Sequence, residues 1–181
     1  PMSVVVLGVS VARYGDAKMM SRVSLILAWM WSMQCLAEVQ PGVHSPDCKL
    51  TTLDKEAPQS IAQFKGKVTY VDFWASWCGP CEQSFPYMNR LQSDLKGKGL
   101  EVVAINLDEN LDDARQFLTR VPARFTVVRD SQQTCAQDFG VKAMPSSYLI
   151  GRDGVVKAVH LGFKPGEAAE FRREVEALLA Q

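Results

Sequence analysis

The feature that most constrains this chain is a pair of cysteines, Cys78 and Cys81, that follows a predicted buried strand. The strand is the run VTYVDFWA at residues 68–75, which is rich in β-branched and aromatic side chains. A helix comes next, because apolar residues recur at helical spacing over residues 82–99 until two glycines end the pattern. The pair therefore lies where a central strand turns into a helix, with Cys78 at the helix N-terminus.

The rest of the chain alternates between predicted strands and helices. A short strand is expected in KLTTL at residues 49–53. The later patterns predict strands at 100–108 and 124–130, helices at 110–121, 133–140 and 166–180, and an Asp-Gly hairpin at 146–161. This alternation predicts an α/β domain with a closing antiparallel hairpin. The formal net charge of zero gives no indication of a nucleic-acid partner.

The position of the cysteine pair predicts redox chemistry. Unpaired N–H groups and the helix dipole at a helix N-terminus stabilise a thiolate, which is the nucleophilic form of cysteine. Pro80 suits the first turn, where no N–H partner is needed. Cys78 is therefore predicted to attack a substrate disulfide, and Cys81, one turn further on, to resolve the mixed disulfide.

Two other uses of the cysteine pair stay open at this point. Structural zinc needs four ligands, and this chain has one C-x-x-C motif with no partner cysteine or histidine at ligand spacing. An inert structural disulfide needs neither the Gly-Pro spacer nor a helix N-terminus. Neither His44 nor His160 is assigned a catalytic role, because the first lies in a predicted linker and the second in a predicted strand.

The N-terminal part of the chain has the sequence pattern of an export signal. An apolar, uncharged core at residues 23–33 follows Arg22, and small residues precede a predicted cleavage site after Ala37. The core is shorter than the about 20 residues that a membrane-spanning helix needs. We expect residues 1–37 to be an upstream segment and signal peptide, 38–49 a linker and 50–181 the folded domain. An uncleaved membrane anchor is the alternative.

Three stretches of this sequence resemble the thioredoxin superfamily: VDFWASWCGPC, VKAMPSSYLI and HLGF. The chain is similar in particular to the exported TlpA/ResA-like thiol–disulfide oxidoreductases, over roughly residues 48–180. The resemblance implies a thioredoxin fold, a central mixed β-sheet flanked by helices, with residues 110–130 as the TlpA-like helix–strand insertion. It also implies that Pro145 is a cis-proline facing the cysteine pair and that the Met144 backbone pairs with an extended substrate.

Asp72 occupies the place where thioredoxins hold a buried aspartate behind the cysteines. Burial raises the pKa of a carboxyl group, which suits Asp72 to take the proton from Cys81. TlpA/ResA-like relatives often have asparagine there and a glutamate three residues after the second cysteine, where this chain has Ser84. The alternative is a solvent-exposed aspartate at a strand end. Trp77 is expected to form apolar substrate-binding surface, together with Gly79 and Pro80.

Cys48 and Cys135 are the two further cysteines that survive removal of the signal. In an oxidising compartment they are candidates for a second, structural disulfide that closes a long loop. Two separate thiols are the alternative, since the sequence does not give the distance between them.

The expected function is that of an exported, periplasmic thiol–disulfide oxidoreductase that reduces protein disulfides and carries no cofactor. The resemblance implies a membrane thiol–electron transporter of the DsbD/CcdA type as its reductant, and maturation of cytochrome c or of copper sites as its setting. We expect a monomer. An oxidase or isomerase on the same fold, and a metal-binding module that uses the cysteine pair, are the alternatives.

Overall fold

The computed structural model describes residues 38–55 and 57–181, which build a mixed sheet with helices on both faces. The strands are β1 Lys49–Thr52, β2 Pro58–Ser60, β3 Val68–Trp74, β4 Leu100–Asn106, β5 Thr126–Arg129, β6 Ser146–Ile150 and β7 Val156–Leu161. The helices are α1 Gly79–Leu95, α2 Leu111–Arg120, α3 Thr134–Phe139 and α4 Ala168–Leu179. Short 3-10 turns at Ile61–Phe64, Lys96–Lys98 and Pro165–Glu167 connect them. The predicted mixed α/β architecture is confirmed.

The strand order of the sheet is β2-β1-β5-β4-β3-β6-β7. Strand β3 runs parallel to β4 on one side and antiparallel to β6 on the other, and β4 runs parallel to β5. Two-sided pairing and the helices on both faces bury every residue of β3 and β4. The loops that leave the carboxyl ends of β3 and β4 therefore lie side by side, and one of them carries the cysteine pair.

The two faces of the sheet support two separate cores, because successive side chains of a strand point to opposite faces. Tyr70 and Trp74 of β3 face α1 and α4, where Trp74 packs against Phe85 with ring centroids 5.0 Å apart. Phe73 points the other way and packs against Phe139 of α3, with ring centroids 5.3 Å apart. Burial of each such aromatic side chain stabilises the fold by roughly 1.5–3 kcal/mol.

Local sequence explains where helix α2 begins. The Asn110 side chain caps the helix by accepting a hydrogen bond from the backbone N–H of Asp112, at 3.1 Å. Asp112 and Asp113 then lie in the first turn, where the helix dipole favours negative charge. Asn110 is therefore the N-cap of α2.

The segment at residues 38–48 differs from the polar linker that its composition suggests. Val39 is buried, and its N–H donates to the carbonyl of Phe139 at 3.3 Å. Further on, the Gly42 N–H donates to the carbonyl of Val156 at 2.8 Å. The segment is polar in sequence but docks through its backbone groups, so in the structure the packed part of the chain begins before residue 50.

Strand β2 is a short addition to β1 that the sequence pattern did not indicate. The predicted signal peptide and its cleavage site at residues 1–37 lie outside the described residues. Within the part of the chain that the structure describes, no helix has the length and apolar character needed to cross a bilayer.

Candidate active site

The cysteine pair begins helix α1. Cys78 is the N-cap residue and is joined to Cys81 by a disulfide, with their Cα atoms 5.3 Å apart. Gly79 and Pro80 occupy the first two helical positions, where a proline is tolerated. The backbone N–H of Cys81 donates to the Cys78 sulfur at 3.2 Å. When the disulfide is reduced, this N–H and the helix dipole are placed to stabilise a thiolate at Cys78.

A buried carboxylate holds the loop that leads into the cysteine pair. Asp108, only 4% exposed, accepts hydrogen bonds from the Ser76 backbone N–H at 3.0 and 3.1 Å and from the Ser76 hydroxyl at 2.9 Å. The Asn106 side-chain amide donates to the second Asp108 oxygen at 2.7 Å. Sequence reasoning missed this residue. The available signal was its place just after β4, because the loops following adjacent parallel strands meet at one edge of the sheet.

The Met144–Pro145 peptide bond is cis and lies beside the cysteine loop. Ser146 follows it and pairs with Phe73 near the end of β3, which places the bond next to the point where that loop leaves the sheet. The Ser146 hydroxyl donates to the carbonyl of Ala143 at 2.7 Å. No described residue hydrogen-bonds the backbone of Met144, which is half-buried.

A groove of about 530 Å³ lies beside the cysteines and contains both Trp77 and Met144. Its remaining lining residues are Leu107, Gln133, Ala136, Gln137, Val141, Lys142 and Ala143. Trp77 is 73% exposed, whereas Trp74 is fully buried in the core, so the two tryptophans have different roles. The groove offers an apolar surface with polar edges next to the reactive sulfur.

Asp72 is a buried carboxyl group on the same sheet face as α1. It is 1% exposed, and its Oδ1 accepts a 2.6 Å hydrogen bond from the Ser147 hydroxyl. Its Oδ2 is buried with no hydrogen-bond partner among the described residues. Burial raises the pKa of Asp72 to about 7, while the bond from Ser147 lowers it. A carboxyl group with such a pKa can both take and release a proton at neutral pH.

Ser84 stands one turn after Cys81, at the place where many relatives carry a glutamate. It is buried, and its hydroxyl donates to the carbonyl of Cys81 at 3.0 Å. Ser84 therefore adds no titratable group near the cysteines. The buried carboxyl group nearest to the two cysteines in the sequence is that of Asp72, on the face of the sheet that packs against α1.

Cys48 and Cys135 form a second disulfide, with Cα atoms 5.2 Å apart and 87 residues of sequence separation. It joins the residue before β1 to helix α3, and Ala136, the neighbour of Cys135, lines the groove. Both cysteines are buried. The structure thus keeps the two cysteine pairs apart, one next to Trp77 at the start of α1 and one next to Ala136 in α3.

Among the described residues, no group of three or more His, Cys, Asp or Glu side chains is placed to hold a metal ion. His44 lies next to the β6–β7 turn, opposite Val155. His160 lies on β7 and its Nε2 is 2.7 Å from a carboxylate oxygen of Glu174. Neither histidine approaches the cysteine loop through any contact that the structure shows.

A disulfide at a helix N-terminus, beside a cis-proline and above a buried carboxyl group, defines a thiol–disulfide oxidoreductase. Comparison with known proteins agrees: a family model described as Redoxin matches residues 40–179. The chain belongs to the redoxin family.

Individual relatives support the same class. Thiol-disulfide oxidoreductases ResA of Bacillus thuringiensis and Geobacillus kaustophilus are each 33% identical to this chain, over 74% and 77% of its length and 76% and 79% of theirs. A crystal structure of a protein designated thiol:disulfide interchange protein DsbE, from Chlorobium tepidum, matches with a TM-score of 0.75 and 44% identity. That match covers 78% of this chain and 99% of the other. The thioredoxin-like fold predicted from sequence is confirmed.

Proposed function

We propose that this oxidoreductase works as a reductant of protein disulfides in an exported setting. The N–H of Cys81 aimed at the Cys78 sulfur, above a buried carboxyl group with one unpaired oxygen, supports thiol–disulfide exchange at this pair. The Gly-Pro spacer is that of thioredoxin, whose potential of about −270 mV is far more reducing than the about −120 mV of a periplasmic oxidant.

The proposed cycle begins with the reduced enzyme. The Cys78 thiolate attacks one sulfur of a substrate disulfide, and the other substrate sulfur leaves as a thiolate. Asp72 then takes the proton of the Cys81 thiol, and the Cys81 thiolate attacks the Cys78 sulfur. The second substrate sulfur leaves, two electrons have passed to the substrate, and the enzyme is left with the Cys78–Cys81 disulfide.

The groove supplies the docking surface in this proposal. An extended substrate segment would pair with the backbone N–H and carbonyl of Met144 beside Pro145, as strands add to an exposed edge. Trp77 would cover the apolar side chain that flanks the substrate cysteine. Gly79 has no side chain to obstruct the approach to Cys78, and Pro80 holds the first helical turn in place.

The cellular setting follows from the predicted signal peptide, which ends after Ala37. We place the enzyme in the periplasm, acting as a monomer, with a membrane thiol–electron transporter of the DsbD/CcdA type restoring its dithiol. Apocytochrome c and copper-site proteins are the proposed substrate classes. Membrane attachment through an uncleaved N-terminal segment is the alternative location.

A trapping experiment tests this function. The variant Cys81→Ser cannot resolve the mixed disulfide and should accumulate its target bound covalently to Cys78, which mass spectrometry of the periplasmic fraction would identify. The matched control is Cys78→Ser, which should trap nothing. Equal recovery of targets by both variants would contradict the assigned roles.

The main competing function is that of an oxidase or isomerase with the same site. A measured potential for the Cys78–Cys81 couple near −270 mV supports the reductant, and one above about −150 mV supports the oxidase. Use of the two cysteines as metal ligands is tested separately, by metal analysis of protein purified without added metal. Stoichiometric metal together with no turnover of insulin disulfides would replace the redox proposal.

A further inference from the structure

Three turns that meet at one end of the sheet carry a cluster of cationic side chains. Residues 65–67 have the sequence Lys-Gly-Lys and lead into β3, and residues 96–98 repeat it ahead of β4. Because β3 and β4 are parallel and Val68 is paired with Leu100, these two lysine turns lie side by side. Strand β6 runs the other way, so the turn after it, which contains Arg152, reaches the same end. We call this cluster the basic end; its members are Lys65, Lys67, Lys96, Lys98 and Arg152.

The guanidinium group of Arg152 connects the two lysine turns. Its Nη1 donates to the carbonyl of Gly66 at 3.2 Å, and its Nη2 donates to the carbonyl of Lys98 at 3.5 Å. Gly99 permits this close approach, because a Cβ at that position would lie 3.0 Å from Nη1. The position of Arg152 relative to the lysine turns is therefore fixed by backbone contacts of the fold.

Carboxylates offset only part of the charge at the basic end. The Lys67 ammonium lies 3.0 Å from a carboxylate oxygen of Glu101. Asp153, the neighbour of Arg152, is paired instead with Lys157 at 2.7 Å. The remaining four cations are exposed, and among the described residues none of them forms an ion pair with a carboxylate; they are Lys65, Lys96, Lys98 and Arg152.

The helix dipole accounts for only two of these four cations. Lys96 and Lys98 directly follow α1, and the C-terminus of a helix favours positive charge. Asp94 in the last turn of that helix does not neutralise them, because it is paired with Arg172 at 2.7 Å. Arg152 follows a strand, so no helix dipole explains its charge. Since the whole chain has a formal net charge of zero, the basic end is a local excess of positive charge.

A hollow of about 150 Å³ opens between the first lysine turn and the β6–β7 turn. Lys65 and Lys67 line it, and Asp153 is the one carboxylate among the described residues in its wall. Because Asp153 is paired with Lys157, the Lys65 ammonium stays available to an anion in the hollow. Lysine binds phosphate as a point charge, so a phosphate group suits this position.

We propose that the basic end binds the membrane surface through the phosphate groups of anionic phospholipids. This binding goes beyond the oxidoreductase function and is independent of the direction of electron flow. Clustered lysine and arginine residues are attracted to the negative potential of an anionic leaflet. Val43 favours a lipid over a soluble polyanion, because it is 46% exposed and precedes His44, which is bridged to Val155 at the same end of the sheet. An apolar side chain beside cations is the pattern of an interfacial contact.

The bound enzyme would direct its cysteines away from the bilayer. Cys78 follows the carboxyl end of β3, whereas the basic end lies at the amino end of the same strand. A strand of seven residues spans about 23 Å at its usual rise per residue. Contact with lipid would therefore leave the groove at Trp77 open to substrate proteins.

Sedimentation with lipid vesicles tests the proposal. Vesicles with about one-third phosphatidylglycerol in phosphatidylcholine supply the anionic surface, and pure phosphatidylcholine supplies the neutral one. The protein is used with the N-terminus that export leaves, which is the same in every variant. We expect the wild type to prefer the anionic vesicles at about 0.1 M salt and to be released at about 0.5 M, where screening is stronger. Lys65→Gln combined with Lys98→Gln should weaken binding about 25-fold, since each surface cation contributes about fivefold.

A second double variant is the control for net charge. Lys49→Gln combined with Lys164→Gln removes two exposed lysines from the opposite end of the sheet and should bind like the wild type. Equal weakening by the two double variants would overturn the proposal, because it would show that total charge and not the basic end determines binding. Absence of binding to anionic vesicles would also overturn it, including the case in which the protein binds the soluble polyanion inorganic polyphosphate.

Hydrogen–deuterium exchange tests the orientation of the bound protein. Anionic vesicles should slow exchange at residues 65–67 and 96–99 and leave residues 76–81 unchanged. Protection at residues 76–81 instead would show that the cysteine end faces the lipid and would overturn the proposal. The Lys65→Gln, Lys98→Gln variant should reduce insulin at the wild-type rate. A wild-type protein that binds vesicles but reduces no insulin would reject the proposed function and leave the lipid contact standing.

Discussion

Ser76 donates both its backbone N–H and its hydroxyl to the carboxylate of Asp108, two residues before the first active-site cysteine. Asn106 adds a third donor to the same buried carboxylate. Together these bonds fasten the loop after β3 to the loop after β4. The geometry at Cys78 therefore depends on a side chain 30 residues away in the sequence.

Replacement of Asp108 should weaken both the fold and the site. In Asp108→Ala the N–H of half-buried Ser76 and the side-chain amide of buried Asn106 lose their acceptor, and the buried amide left unsatisfied costs about 1–3 kcal/mol. Urea unfolding of the oxidised protein should show this loss as a lower midpoint. Glu109→Ala, which removes an exposed neighbour, is the control and should unfold like the wild type. A wild-type midpoint for Asp108→Ala would show that Asp108 does not stabilise the two loops.

The burial of Asp72 makes the stability of the protein depend on pH. Its pKa is 3.8 when unfolded and about 7 when folded, so between these values the folded state binds a proton that the unfolded state releases. The free energy of unfolding should therefore fall as pH rises from about 4 to 7, with a total contribution of roughly 4 kcal/mol at most. Asp72→Asn should remove this contribution.

Denaturant unfolding of the oxidised wild type and of Asp72→Asn, repeated from pH 4 to pH 8, checks this expectation. The difference between the two proteins should grow in favour of Asp72→Asn as pH rises, and level off above about pH 7. A constant difference across that range would show that Asp72 does not titrate with a raised pKa in the folded protein.

Removal of the second disulfide should lower stability without stopping catalysis. The double variant Cys48→Ala, Cys135→Ala frees a chain segment of 87 residues in the unfolded state, and disulfides of this kind typically contribute about 2–4 kcal/mol. Guanidinium unfolding should report the loss, and the rate of insulin reduction under conditions where the variant is folded should stay near that of the wild type. An unchanged unfolding midpoint would show that the bond does not stabilise the fold.

Trp77 should matter for protein substrates and not for small ones. Its side chain is exposed and makes no core contact, so Trp77→Ala should retain the wild-type unfolding midpoint. Loss of the apolar groove wall should raise KM for insulin several-fold and leave the reaction with a small disulfide reagent unchanged. Val43→Ala removes another exposed apolar side chain and serves as the control. If Trp77→Ala slowed both reactions equally, Trp77 would affect the reactivity of the cysteines and would not serve to bind the protein substrate.

Much of this architecture could be predicted because its signals are local. The buried run that forms β3, the Gly-Pro spacer at the start of α1 and the Asp-Gly turn between β6 and β7 each depend on a few adjacent residues. The resemblance added the position of Pro145, whose peptide bond no local pattern would assign as cis. The burial of Asp72 followed from its place in an apolar run.

The contacts that could not be predicted join residues far apart in the chain. Asp108 and Ser76 meet only because β4 pairs with β3 in a parallel register. Ser147 reaches Asp72 only through the pairing of β6 with β3. The docking of residues 38–48 could not be predicted for a different reason. It uses backbone groups, which every residue type carries, so the sequence contains no signal for it.

The positions of the two disulfides bear on how this enzyme coexists with its own chemistry. Burial does not separate them, because Cys48 and Cys135 are 3% and 0% exposed while Cys78 and Cys81 are 4% and 0% exposed. Cys78 is the N-cap of a 17-residue helix and its sulfur accepts the Cys81 N–H, so the thiolate released there is stabilised. Cys48 lies before β1 and Cys135 lies inside the six-residue α3, and neither is a helix N-cap. A better leaving group at one bond than at the other lets one polypeptide keep a permanent cross-link while it exchanges the other in every turnover.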